Sequence, residues 1–172
     1  MIRVLGLGNV LMSDDGFGPY VARVLDAFYE FPDDVEVIDI GTPGLDLTPY
    51  LLNADAVIFI DTVTSDRAPG ETRVYDRAEI LRYPPQARTG PHDPALKEAL
   101  LTVDAAGAGP KVVKLIGVIP EWVATGVSLS PRVSAAVTPV VRKVIDELDR
   151  MGVPAIPKPV PAIPHIWWET VS

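Results

Sequence analysis

The chain has 172 residues, of which 48% are hydrophobic and 22% charged, and its formal net charge is −8 at pH 7. This length is typical of one domain with a sizeable core. The acidic balance argues against a general nucleic-acid binder, because such proteins hold phosphates mainly through Lys and Arg. The sequence contains no cysteine, which excludes disulfides, thiolate metal sites and a cysteine nucleophile.

The sequence shows no targeting or membrane signal. Its N-terminus lacks a basic region followed by a long apolar core, and Asp14 and Asp15 interrupt the apolar pattern early. No stretch of about twenty apolar residues occurs, so we expect no membrane span. Together with the absence of cysteine, this pattern favours a cytoplasmic location.

The first eighteen residues have the pattern of a strand, a tight turn and a helix start. Residues 2–7 form a short apolar run that suits a buried parallel strand. The Gly6-Leu7-Gly8 segment allows a sharp turn and a close backbone approach. Ser13 and Asp14 are N-cap residue types just before helical spacing begins. We therefore expect Asp14 and Asp15 at the carboxyl end of a strand, where open α/β sheets bind ligands.

Strands and helices alternate along the rest of the chain. Further strands are predicted at residues 35–40, 56–60, 72–75 and 111–119, and helices after residue 16, around 45–52, from 93 to 103 and from 131 onward. Thr42 is a candidate cap for the second helix, and Pro49 and Pro139 should shorten or bend the helices that contain them. The alternation predicts an α/β fold with an open, mostly parallel twisted sheet of about five strands and helices on both faces.

The last twenty residues differ in character. Five prolines between residues 154 and 164 favour an extended polyproline conformation, and Trp167 and Trp168 follow. Adjacent tryptophans rarely stay exposed to water, so we expect them to pack on the domain or on a partner. We predict a single α/β domain over residues 1–157 and a proline-rich C-terminal tail over residues 158–172.

A dinucleotide site is one interpretation of the N-terminal loop. The Gly6-Leu7-Gly8 segment matches the first half of a glycine-rich phosphate loop, but Leu11 holds the position of the third glycine. Asp39 could contact a ribose, although it lies about ten residues later than usual. Asp14 and Asp15 would repel a pyrophosphate. A serine hydrolase is set aside, because no Gly-x-Ser-x-Gly occurs and only two histidines are present.

Asp15, Asp61 and His92 form a candidate metal site. Asp61 directly follows the most apolar strand, and His92 stands just before a predicted helix. If the sheet is parallel, all three converge at one edge. Two carboxylates and an imidazole suit nickel or zinc, and three protein ligands leave positions open for substrate and water. Spacing alone does not establish this metal site, because an aspartate at a strand end is more often a turn former and a loop histidine is more often a surface residue.

The opening segment, residues 6–18, resembles the first motif of the hydrogenase maturation endopeptidases. These proteases trim the C-terminus of the large subunit of nickel–iron hydrogenases. Five more segments resemble the family's later motifs in the same order: Asp39–Leu45, Ile60–Val63, Pro91-His92, Gly117–Glu121 and Leu129–Pro131. The resemblance covers residues 1–157.

The resemblance implies a twisted five-stranded sheet between helices and a single cut in a nickel-loaded large-subunit precursor. It implies metal-binding and catalytic roles for Asp15, Asp61 and His92, with nickel arriving on the substrate as the recognition element. Relatives often have glutamate as the first ligand, so Asp14 could share the role of Asp15. Either carboxylate could act as general base when it is not bound to metal.

Two alternatives stay open beside this reading. The same ligands would serve a chaperone-like protein that senses metal loading without cutting. A nucleotide-binding Rossmann-like domain is the other alternative. The sequence leaves the oligomeric state unknown.

Overall fold

The computed structural model describes residues 1–43, 47–82 and 95–170. The strands are β1 (Ile2–Leu7), β2 (Tyr29–Glu30), β3 (Val35–Gly41), β4 (Ala56–Thr62), β5 (Thr72–Asp76), β6 (Val112–Val118) and β7 (Ile156–Pro157). The helices are α1 (Phe17–Phe28), α2 (Thr48–Leu51), α3 (Arg77–Arg82), α4 (Ala95–Ala105) and α5 (Pro131–Arg150). Short 3-10 helices occupy Ser13–Gly16 and Trp167–Thr170.

The main sheet has five strands in the order β3-β1-β4-β6-β5. All neighbours are parallel except β5, which pairs antiparallel with β6, and the predicted mostly parallel sheet is therefore confirmed. The chain passes from β3 on one side of β1 to β4 on the other. This change of direction creates a topological switch point beside β1, where ligands of open α/β sheets bind at the carboxyl ends of the strands.

Two hydrophobic cores lie on opposite faces of the sheet. Alternate residues of β4 enter different cores: Ile58 and Ile60 pack with α1 and α5, whereas Val57 and Phe59 pack with α2 and α4. All four side chains are fully buried. Burying a side chain of this size stabilises a fold by about 1.5–3 kcal/mol, so β4 is a rigid support for the residues that follow it. The prediction of helices on both faces is confirmed.

The predicted start of α5 is confirmed. Its N-cap is Ser130, whose hydroxyl oxygen accepts a hydrogen bond from the amide of Val133, and Pro131 is its first residue. Pro139 lies inside this continuous helix, and whether it bends the helix stays a prediction. The predicted start of α4 at residues 93–94 lies outside the described residues.

Two predicted caps are wrong. Ser13 and Asp14 lie in a separate 3-10 turn, and α1 begins after Gly16. Thr42 does not cap α2, because the N-cap position of that helix is Leu47. As predicted for a helix containing Pro49, α2 is short, at four residues. The helix α3 is an element that the sequence pattern did not predict.

The C-terminal segment packs on the domain. β7 pairs antiparallel with β2, and Trp168 is only 2% exposed. The rings of Trp167 and Trp168 contact each other edge to face, with their centroids 5.7 Å apart. The division into a domain over residues 1–157 and a tail over 158–172 stays a prediction. Within the described residues, none of the helices has the length and apolarity that a membrane crossing requires.

Candidate active site

The glycines of the N-terminal motif let the loop after β1 fold tightly against the start of α1. Gly8 has a φ of +134°, and a Cβ there would lie 1.7 Å from the carbonyl oxygen of Asp15. A Cβ on Gly18 would lie 2.2 Å from the carbonyl oxygen of Leu7. Only glycine permits both approaches. The predicted close backbone approach is therefore confirmed, and it places Asp15 above the end of β1.

Asp15 and Asp61 meet at this edge of the sheet through one residue, Thr62. Oδ2 of Asp15 accepts a 2.9 Å hydrogen bond from the amide of Asn9, and its Oδ1 accepts one of 3.1 Å from the hydroxyl of Thr62. The amide of Thr62 in turn donates to Oδ1 of Asp61 over 2.7 Å. Both carboxylates are half-buried, whereas Thr62 is 1% exposed. The carboxylate of Asp15 thus contacts the residue that directly follows Asp61 in β4.

The third predicted site residue, His92, lies outside the described residues. Among the residues that the structure does describe, no group of three His, Cys, Asp or Glu side chains could hold a metal ion. The described part of the site is therefore a pair of carboxylates. The ligand set of Asp15, Asp61 and His92 stays a prediction.

Asp14 has a different environment from Asp15. Its side chain is completely buried and accepts four hydrogen bonds. The donors are the amides of Glu121 (2.8 Å) and Trp122 (3.1 Å) and the amide (2.6 Å) and hydroxyl (2.9 Å) of Ser130. Both oxygens are engaged and shielded, so this environment favours Asp15 over Asp14 as a ligand. Asp14 fastens the segment between β6 and α5 to the loop that carries Asp15.

A second set of contacts joins the same two segments. The amide of Ser13 donates to the carbonyl of Gly126 over 2.8 Å, and the amide of Gly126 donates to the carbonyl of Leu11 over 3.0 Å. The hydroxyl of Ser13 also reaches the carbonyl of Ala124, 3.0 Å away. Ser13 has a φ of +51°, which is uncommon for a residue with a side chain. Such backbone strain persists where surrounding contacts hold it, as they do here.

Sequence patterns gave no signal for these contacts. Asp14 and Ser130 are 116 positions apart, and each has the composition of a local helix cap. Thr62 is hidden in a strand, where threonine is common. Asn9 forms a local turn, in which its side-chain oxygen accepts a hydrogen bond from the amide of Leu11 over 3.0 Å.

Asp39, the candidate ribose contact, already has a partner. Its Oδ2 lies 3.1 Å from Nη2 of Arg23, and its Oδ1 accepts a hydrogen bond from the amide of Gly41. The carboxylate is 16% exposed. The carbonyl of Gly41 receives the amide of Gly8, which ties the ends of β3 and β1 together. These contacts make Asp39 part of the support of the site and give no argument for a nucleotide.

The comparisons with known proteins decide the family. The sequence model of the hydrogenase maturation protease family matches residues 19–147 of this chain. The hydrogenase 2 maturation protease of Escherichia coli (strain K12) is 34% identical over 158 residues, which cover 91% of this chain and 96% of the relative. The chain belongs to the hydrogenase maturation protease family.

Solved structures agree with this membership. The hydrogenase maturating endopeptidase HybD from E. coli is similar to this maturation protease with a TM-score of 0.84 at 34% identity, over 91% of this chain and 97% of that one. The [NiFe] hydrogenase maturation protease HybD from Thermococcus kodakarensis has a TM-score of 0.65 at 25% identity, over 86% and 97%. The resemblance found in the sequence motifs is confirmed, and so is the fold that it implied.

Proposed function

We propose that this maturation protease is an endopeptidase that removes the C-terminal extension of a nickel-loaded large-subunit precursor of a nickel–iron hydrogenase. The observation that carries the proposal is the pair of carboxylates, Asp15 and Asp61, that Thr62 links at the switch point of a chain in this family. The protease and endopeptidase names of the relatives support the reaction class.

In this proposal Asp15, Asp61 and His92 bind the nickel ion that the substrate carries. A carboxylate offers about four lone-pair positions, and Asp15 uses two of them for Asn9 and Thr62. It therefore keeps capacity to bind a cation while its orientation is fixed. The substrate's nickel supplies Lewis acidity next to the scissile bond.

The remaining chemistry belongs to the chain's own residues. Binding the ion through three side chains positions the nearby peptide bond of the precursor, and positioning of this kind contributes a large part of many enzymatic rate accelerations. When one carboxylate of the pair is not bound to the ion, it accepts a proton from the attacking water as general base. Asn9 and Thr62 hold Asp15 in place through their hydrogen bonds to its two oxygens, so we assign them a positioning role.

Two exposed apolar side chains beside the site suit a protein substrate. Leu11 is 53% exposed and Trp122 is 47% exposed. They lie on the two segments that Asp14 and the Ser13–Gly126 contacts hold together. Exposed aromatic and aliphatic residues next to a site are typical of surfaces that contact another protein. A small-molecule reaction would not need this surface.

The test is precursor processing by variants of the site. Purified nickel-loaded precursor is incubated with the wild-type protein and with Asp61→Asn, His92→Ala and Asp33→Asn, and mass spectrometry detects the released C-terminal peptide. We expect release by the wild type and by Asp33→Asn, an exposed control at the other end of the sheet. We expect none from the two site variants, and full activity in both would overturn the ligand assignment.

The same assay separates the alternatives. A wild-type protein that binds the loaded precursor and releases no peptide would support a metal-sensing chaperone in place of a protease. Release that does not depend on nickel would contradict nickel as the recognition element. The cytoplasmic location and the absence of a nucleic-acid partner stay predictions of the sequence.

A further inference from the structure

The C-terminal segment runs along α1 in the direction opposite to that helix. The amide of Lys158 donates to the carbonyl of Phe28 over 2.8 Å, and the amide of Ala162 donates to the carbonyl of Ala27 over 3.0 Å. The residues that follow then reach Tyr20, near the start of the helix. The segment therefore ends on the side of the domain where α1 begins, two residues after Asp15.

A cavity of about 550 Å³ lies between this segment and α1. Its lining has aliphatic and aromatic side chains, one carboxylate, one imidazole and one hydroxyl, contributed by Tyr20, Ile163, Pro164, His165, Ile166, Trp167, Glu169 and Thr170. Trp168 is buried beside it and anchors the segment that carries these residues. In the described part of the chain, Glu169 forms no ion pair, although it faces a cavity with two aromatic rings.

We propose that this cavity binds a basic side chain, lysine or arginine, of the large-subunit precursor. The rings of Tyr20 and Trp167 attract a cation through their π faces, and the Glu169 carboxylate supplies the opposite charge. Ile163 and Ile166 provide apolar surface for the methylene stem of a long basic side chain. Glu169 thereby favours a cationic occupant over a purely apolar one. The identity of the partner rests on the proposed function.

The position of the cavity relates it to the candidate active site. Tyr20 is three residues after Phe17, the first residue of α1, and therefore lies about 5 Å further along the helix axis. A precursor seated on Asp15 would extend over this end of α1. Burial and the nearby Glu169 raise the pKa of Tyr20, which is consistent with a carboxylate facing that ring.

The test compares Glu169→Gln and Trp167→Ala with a matched control, Glu98→Gln. Glu98 is an exposed glutamate on α4, at the opposite face of the sheet. We expect each cavity variant to raise the KM for nickel-loaded precursor and its dissociation constant by about three- to tenfold, with kcat unchanged. Glu169→Gln should also weaken the salt dependence of binding. Unchanged KM and dissociation constant in both variants would overturn the proposal.

A second measurement needs no precursor and so separates this inference from the proposed function. N-acetyl-arginine amide is titrated into the full chain while the indole N–H signal of Trp167 is followed by NMR. We expect a saturable shift in the wild type and in Glu98→Gln, and its loss in Glu169→Gln. An equal or larger shift with N-acetyl-leucine amide would show an apolar site and contradict the proposal. Failure of the wild type to cleave precursor would count against the proposed function alone.

Discussion

The hydroxyl of Thr62 donates a 3.1 Å hydrogen bond to Oδ1 of Asp15, which lies 47 positions earlier in the chain. Thr62 is 1% exposed, so its hydroxyl is shielded from solvent. In Thr62→Val the side chain keeps its shape and loses the donor. We expect the free energy of unfolding to fall by about 0.5–1.5 kcal/mol and precursor processing to slow, because Asp15 loses the group that orients it.

Thr62→Ser is the matched control, since it keeps the hydroxyl and loses only a methyl group. Urea denaturation gives the stability of each variant, and initial rates with nickel-loaded precursor give its activity. The serine variant should process faster than the valine variant. Equal rates in the valine variant and the wild type would show that the bond does not position Asp15.

Asp14→Asn should mainly lower stability, whereas Asp15→Asn should mainly lower precursor processing. Asp14 is fully buried and accepts four hydrogen bonds. In the asparagine variant, the side-chain NH2 group would face at least one of these hydrogen-bond donors. We expect the free energy of unfolding of Asp14→Asn to fall by about 1–3 kcal/mol, with a fall in Tm of about 2–4 °C for each kcal/mol. Asp15→Asn should lose processing and change the Tm less, because its side chain is half-buried and accepts two hydrogen bonds.

Circular dichroism during heating measures both variants, and the processing assay completes the comparison. Asp14→Asn should keep measurable processing at temperatures where it is folded. If it unfolded no earlier than Asp15→Asn, the assignment of Asp14 as the fastening residue would fail.

The contrast between these neighbours shows which contacts sequence patterns can predict. Residues 56–60 are continuously apolar, and that composition alone predicted a buried strand ending at Asp61. The helix start at Ser130-Pro131 was also predictable, because an N-cap is a local interaction between residues close in the chain. Parallel pairing of β4 with β1 then brings Asp61, near the carboxyl end of β4, to the same edge of the sheet as the loop after β1. The position of the two carboxylates therefore follows from topology.

Asp14 shows why the remaining contacts were not predictable. An aspartate before a helix has the composition of a cap, but Asp14 receives donors from a segment more than a hundred positions later. Nothing local distinguishes these two uses of the same side chain. The pairing of β2 with β7, which is two residues long, also has no local sequence signal, because it depends on where the C-terminal segment packs. Long-range polar contacts of this kind are specified by the assembled fold.

Gly8→Ala should disturb the site more than Gly107→Ala does. Both glycines have a positive φ, +134° and +68°, so both substitutions strain the backbone, by about 1–2 kcal/mol in the left-handed helical region that Gly107 occupies. A Cβ on Gly107 meets none of the described residues within 4 Å, whereas one on Gly8 collides with the carbonyl of Asp15. We expect Gly8→Ala to lose processing because Asp15 must move.

Urea denaturation and the processing assay measure both glycine variants. Gly107→Ala should process precursor normally once its lower stability is taken into account. Similar losses of activity in the two variants would contradict the close packing of the N-terminal motif as the reason for its glycines.

The pKa of Tyr20 makes a prediction at alkaline pH. Burial, and secondarily the charge of Glu169, raise this pKa above its ordinary value of 10.0. Since the folded state then holds the phenolic proton more tightly than the unfolded chain, its stability contribution is complete below pH 10 and is lost as the pH rises through the folded pKa. The free energy of unfolding should therefore fall from about pH 10 upward.

Tyr20→Phe removes this contribution, and Glu169→Gln reduces it by lowering the pKa of Tyr20. Urea denaturation between pH 8 and about pH 11 measures the slope, and an NMR titration of the ring measures the pKa directly. If Tyr20→Phe kept the full alkaline slope of the wild type and Glu169→Gln left the pKa of Tyr20 unchanged, the C-terminal segment would not lie against α1 as the structure places it.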